Sequence, residues 1–176
     1  MTHDHCRVLA RYNRWMNEKL IAVCVNLTDE QRKQNCGAFF KSIHGTLNHL
    51  LVADRVWMGR FTGTVLEPGE LGPGGIRSLD QELYESFEEL REQRKKMDAE
   101  IEQWVAALSP EQLAAPLRYL RQGVMWDFPL WWSLAHLFNH QTHHRGQVTT
   151  LLMQAGQDPG VTDLLAMLRS EASAQL

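Results

Sequence analysis

"HLFNHQTHHRGQ", residues 136–147, holds four of the chain's eight histidines, and its periodicity decides how the chain folds. At about 100° per residue, His140 and His144 share a helix face with Ser133, Leu137, Gln147, Val148 and Leu151. That face is the inward stripe of a long amphipathic helix. Pro129 opens the helix and Gly156 stops it just after Gln154. Side chains at i and i+4 have Cβ atoms roughly 5–6 Å apart. Two imidazoles at that spacing can converge on one ion with metal–nitrogen distances of about 2.0–2.1 Å. The residue after His140 is Gln141, so the glutamate base of an H-E-x-x-H metalloprotease helix is absent.

Three more long helices follow from the same period. Residues 4–26 place Val8, Leu9, Tyr12, Trp15, Met16, Leu20 and Val23 on one stripe. Residues 42–61 do so with Ile43, Leu47, Leu50, Val52, Val56 and Trp57, and the first turn is expected to begin near Phe39. A further helix is expected to start at Ser78 or Leu79, with Ser78 or Asp80 as N-cap, and to reach about Leu108. Its outer face, "EELREQRKKMDAE", reads as a solvated charged surface. Thr28 with Gln31, and Ser109 with Gln112, have the form of capping boxes. "LRYLRQGVMWDFP" reads as two short extended runs about a Gln-Gly turn, and "VTDLLAMLR" as a short C-terminal helix.

Four amphipathic helices of this length define an all-α, four-helix bundle in a single domain, residues 1–176, with a short extra helix at its end. Residues 62–78 have no period and are rich in Gly and Pro, so they form a long loop. Its reach, at most about 55 Å, exceeds the roughly 30 Å length of a 20-residue helix. The loop can therefore run back along the bundle and leave the second and third helices parallel, an up-down-down-up order. It is also a candidate lid.

A net charge of −3 without a basic helix excludes a nucleic-acid coat. No run of about 18 apolar residues is available to span a membrane. Cys6, Cys24 and Cys36 match no zinc ribbon or redox pair, and Cys24 reads as a buried thiol. The polar N-terminus is no signal peptide, so the expected location is the cytoplasm, with reduced thiols.

Two histidines do not complete a catalytic metal site, which takes three protein ligands and one open position. The second helix offers His44 and His49, about 140° apart, so both cannot face one core. His49 is the better candidate because it shares a face with Ala53, Val56 and Trp57. His136, at the edge of the stripe, is open to three readings: ligand, partner of a ligand, or surface residue. His143 reads as solvated or locally hydrogen-bonded, and His3 and His5 as part of a disordered terminus. Gly146 in mid-helix costs roughly 1 kcal/mol against Ala, which points to close packing there, with the first helix as the neighbour.

"YNRWMNEKL", "SIHGTLNHLLVADRVWMGRF", "HLFNHQTHHRGQVTTLLMQAG" and "DPGVTDLLAML" together resemble the DinB family over nearly the whole chain. The resemblance implies an up-down-down-up four-helix bundle that forms a homodimer. It also implies a divalent metal held by one histidine of the second helix and two of the last, which are His49, His140 and His144 here. Relatives in the wider superfamily resemble mycothiol-dependent maleylpyruvate isomerases and bacillithiol transferases, which use a metal to activate a low-molecular-weight thiol.

The expected function is a divalent-metal enzyme, zinc or nickel, that activates water or a thiol cofactor against a small-molecule substrate as a hydrolase or transferase. Trp57, Arg60 and Trp126 are candidate substrate contacts; the sequence assigns no catalytic residue. The alternative is a non-catalytic metal-binding stress-response protein, and a third reading is a helical interaction module without metal.

Overall fold

Three of the four long helices begin where a hydroxyl can accept one of the free backbone N–H groups of the first turn. The structure, a computed structural model, describes the chain except residues 65, 68, 175 and 176. Helix α1 (His3–Cys24) is capped by Thr2, which accepts from the His5 N–H at 3.2 Å. The short α2 (Asp29–Lys33) carries the Thr28–Gln31 capping box. Helix α3 (Ile43–Thr62) is capped by Ser42 and α4 (Phe87–Ala107) by Ser86. The short α5 (Pro110–Ala114) has the Ser109–Gln112 box. Strands β1 (Pro116–Arg121) and β2 (Val124–Pro129) lead into α6 (Leu130–Gln154), and α7 (Leu164–Ser173) follows.

The protein is thus mostly helical rather than all-α. β1 and β2 pair antiparallel, with Tyr119 opposite Trp126 and Arg118 opposite Asp127. The turn residues Gln122 and Gly123 both have positive φ, 50° and 77°. Such a two-residue turn matches the right-handed twist of a hairpin. The Leu130 N–H donates to the Ala115 carbonyl at 2.9 Å, fastening the hairpin's base to the start of α6.

Contacts along the four long helices give their directions. On α1 and α4, His3 meets Val105 and Asn17 meets Asp98, so the two are antiparallel. On α3 and α4, Asp54 meets Arg94 and Phe61 stacks on Trp104, so these run parallel. His49 with His140 and Trp57 with His136 make α3 and α6 antiparallel. One core unites them, including Leu20, Leu50, Leu51, Ile101, Leu134, Leu137 and Leu152.

Between α3 and α4, residues 71–86 double back along α3. Gly72 packs so closely that a Cβ there would lie 2.8 Å from Val56 Cγ2. Ile76 is fully buried with Val52 and Val56. Residues 71–76 are therefore packed wall, not a free lid. This return path also corrects the expected start of α4. Residues 79–84 use their backbone on α3: the Leu79 carbonyl meets the His49 ring, and the Tyr84 carbonyl meets His44 and Asn48. Helical pairing would consume those carbonyls, so the helix begins only at Phe87. Residues 38–41 form a tight turn, so α3 does not reach back to Phe39.

The expectation for Gly146 also fails: a Cβ there would meet nothing within 4 Å. Its neighbour Arg145 is the residue that packs on α1, bonding to Asn13. His3 is likewise ordered, capping the end of α4 through the Val105 carbonyl at 3.1 Å. Cys24 is buried as expected.

Arg145 belongs to a buried polar cluster contributed by all four long helices. Arg94 Nη2 lies 2.6 Å from Asp54 Oδ2 and 2.9 Å from Asp98 Oδ1. Asp98 also accepts from the amides of Asn17 (2.8 Å) and Asn13 (3.2 Å). Two carboxylates thus balance two guanidinium groups in the interior, which limits the cost of burying any one of them. Replacing Asp98 by Ala leaves Arg94 and two amides underpaired. The expected cost is about 3–5 kcal/mol, read as a lower urea midpoint at unchanged m value.

Candidate metal centre

His49 sits mid-way along α3, whose residues from Ile43 to Asp54 are all buried. The helix is enclosed by α4, α6 and the returning loop, so it has no solvated face there. His44 and His49 do point to different sides, as their separation of about 140° requires, but here both sides are interior. Both histidines are buried, on different sides: His44 Nε2 bonds the Tyr84 carbonyl at 2.9 Å, away from the site.

His49, His140 and His144 do converge. Their nearest ring nitrogens all lie within 4.8 Å of one another. His49 Nε2 and His140 Nε2 are 3.1 Å apart. Nitrogen ligands of a tetrahedral ion with bonds of about 2.0–2.1 Å are about 3.3 Å apart, so that pair already has a ligand-like separation. Among the described residues these three form the cluster able to hold an ion.

Two of the rings are fixed from behind. His49 Nδ1 is 2.7 Å from the Leu79 carbonyl, which only accepts, so Nδ1 carries the proton and Nε2 presents a lone pair. His144 Nδ1 is 2.8 Å from Gln147 Oε1, with the same consequence. Metal-binding imidazoles are oriented by such outer hydrogen bonds. His140 Nδ1 is buried without a partner. In the metal-free arrangement His140 Nε2–H donates to the His49 lone pair; binding an ion requires that proton to leave Nε2.

Burial pushes the His49 imidazole down to about 4 and His140 down to about 3, helped in both by the neighbouring histidines. His144 is lowered too, chiefly by burial. All three are therefore neutral donors at pH 7. The residues fit a divalent cation: three neutral nitrogens, and no lysine or arginine in the lining of the cleft above them.

That cleft measures about 590 Å³ and is walled by Phe39, Phe40, Leu79, Asp80, His143 and Gln147 as well as the three histidines. Phe40 stacks on the His49 ring, centroids 3.7 Å apart. Phe39 is 83% exposed at the mouth. The turn that delivers them is strained: Lys41 has φ 66°. It also needs Gly45, because a Cβ there would lie 2.2 Å from the Phe40 carbonyl oxygen. Gln141, in the place of a protease glutamate, turns to the Leu50 carbonyl of α3 and does not enter the cleft.

The other sequence candidates lie elsewhere. His136 is exposed, its ring 5.8 Å from His140 and 5.1 Å from Trp57. His143 is exposed and faces Gln147 Nε2 at 3.4 Å. Trp57, Arg60 and Trp126 do not line the cleft at the histidines. Trp126 stacks instead on Phe128. Sequence reading missed Phe40, Leu79, Asp80 and Gln147. Only Gln147, one turn after His144, carries a positional signal; the Leu79 contact is a backbone carbonyl.

Comparison with known proteins places this geometry. The model of the DinB family matches residues 1–175. The chain belongs to the DinB family. It is 30% identical over 165 residues to "Protein DinB" of Bacillus subtilis (strain 168), covering 91% of each chain. It is also similar to the crystal structure of a DinB-like protein from Bacillus cereus ATCC 10987. There the identity is 26% and the TM-score 0.63, with 86% of this chain and 91% of the other covered. No described helix is long and apolar enough to cross a membrane.

The depressed histidines make the metal-free protein acid-sensitive. Above pH 6.5 they are neutral both folded and unfolded and contribute no pH dependence. Below it the unfolded chain takes up protons that the folded site refuses, so stability falls until the folded values near 4 and 3 are reached. The slope is up to about 1.4 kcal/mol per pH unit for each histidine. Urea midpoints between pH 7 and 4.5 should decline, and His49→Ala should flatten the decline. Gly45→Ala should cost about 1–3 kcal/mol by forcing the Phe40 turn off α3, and should weaken metal retention because the Phe40 ring no longer backs His49.

Proposed function

We propose that this chain is a metal-dependent enzyme built on an up-down-down-up helical bundle. His49, His140 and His144 hold one divalent ion, zinc or nickel, since three neutral imidazoles suit either. The observation that carries this reading is the convergence of three neutral nitrogens at the floor of an open cleft, with two of the rings already locked in the binding tautomer. Such an ion, when bound, lowers the pKa of water or of a thiol into the neutral range.

The rest of the cleft then has defined work. Leu79 and Gln147 keep lone pairs directed inward. Phe39, Phe40 and Leu79 offer an apolar wall that packs on the organic part of a small molecule and keeps water away from it. Asp80 is the one carboxylate in the lining. Hydrogen bonds from the Ser78 side chain and from the backbone hold it below the usual carboxylate range, so it stays anionic at neutral pH. Hydrolysis and thiol transfer are the two reactions this arrangement supports.

Elemental analysis of protein purified without an affinity tag tests the reading. Near-stoichiometric zinc or nickel is expected in the wild type and loss of most of it in His49→Ala. Full occupancy in that variant would remove His49 from the site. Assays for ester or amide hydrolysis and for conjugation of glutathione, mycothiol or bacillithiol then separate an enzyme from a non-catalytic metal-binding protein. Turnover lost in His49→Ala supports the enzyme; full metal content with no turnover of any substrate supports the alternative.

A further inference from the structure

A second cleft, about 570 Å³, lies between the C-terminal end of α3, the loop that follows it and the hairpin. It shares no lining residue with the cleft at the histidines. Arg60 forms part of its wall. The guanidinium packs against two aromatic rings, 4.6 Å from the centroid of Trp57 and 4.6 Å from that of Tyr119. Trp57 and Tyr119 themselves meet edge to face at 5.6 Å. Arg60 is half-buried and has no carboxylate or hydrogen-bond partner among the described residues. Its nitrogens are not sealed off by protein.

The neighbouring charges do not neutralise it. Arg121, two residues along β1 from Tyr119, lines the same cleft and adds a second positive charge to its wall. Arg118 is engaged by Asp127 at 2.8 Å. Glu67 and Glu70 are also in the wall, but neither forms an ion pair with Arg60; Glu70 accepts from the Glu67 N–H at 3.1 Å. The rings hold the arginine by cation–π attraction and packing, which leaves its N–H groups free to donate. A planar cation fixed in one place with unspent donors suits a carboxylate or phosphate.

We propose that this cleft is an anion-binding site in which Arg60, packed against Trp57 and Tyr119 and assisted by Arg121, receives the carboxylate or phosphate group of a small molecule. Trp57 and His136 pack between this cleft and His140.

The test uses metal-stripped full-length protein at low ionic strength, so its outcome does not depend on the metal reading. Inorganic phosphate and succinate are titrated separately, followed by tryptophan fluorescence and by calorimetry. Saturable binding of at least one is expected, and the tighter probe tells phosphate from carboxylate chemistry. Arg60→Gln should weaken it about tenfold or more, the loss of one charge-assisted contact. Arg121→Gln, on the exposed hairpin, should weaken it several-fold without changing the fold, and it decides the matter if Arg60→Gln does not fold. Absence of saturable binding to the wild type would overturn the proposal. So would unchanged affinity in Arg121→Gln together with an Arg60→Gln that is merely less stable, since Arg60 would then serve only the C-terminal end of α3.

Discussion

The hydrogen bond from His49 Nδ1 to the Leu79 carbonyl, 2.7 Å, is where the fold and the candidate site become one problem. For that carbonyl to be present, residues 71–86 must return along α3 rather than cross the end of the bundle. That return makes α4 run parallel to α3 and brings Arg94 and Asp98 to the level of Asp54 and Asn17. It also encloses α3 on its remaining side. A histidine on an ordinary amphipathic helix would have a solvated flank; here the residue is 4% exposed and its Nδ1 is satisfied by backbone.

Neutral, oriented imidazoles follow from that enclosure. Burial removes the solvation that would favour imidazolium, and clustering adds repulsion between any two protonated rings. The two effects act in the same direction on His49 and His140. The cost is a set of polar groups held away from water, and the structure meets most of it with specific partners. His140 Nδ1 and Gln141 Oε1 are exceptions, both on α6 beside the site. A bound ion would recover part of the cost at His140 by giving its Nε2 a better partner than another imidazole.

The histidine pair, the capping boxes and the hairpin were readable because each is set by residues a few positions apart. His140 and His144 share a face whatever the helix packs against, and Thr28 with Gln31 closes its box within one turn. The start of α4 was not readable in this way. Leu79 and Leu83 continue the apolar period of the helix, but their segment bonds α3 instead, a competition between local and long-range backbone pairing that a period cannot register. Gly146 misled for a related reason: its cost in the helix has no compensating contact at that residue, while the close approach to α1 is made by Arg145 next to it.

By itself the sequence determined the helices, their inward faces and the family to which the chain belongs, because side-chain periodicity and local capping are written into neighbouring residues. It also singled out His49, on the apolar side of α3, as the partner for the pair on α6. Only the tertiary structure decided that the Leu79 carbonyl and Gln147 set the imidazole tautomers. It alone brought Phe40 onto His49 through a turn that requires Gly45, and it alone packed Arg60 against Trp57 and Tyr119. Those outcomes depend on backbone groups and on contacts between residues distant along the chain, and neither has a signature in residue type or spacing.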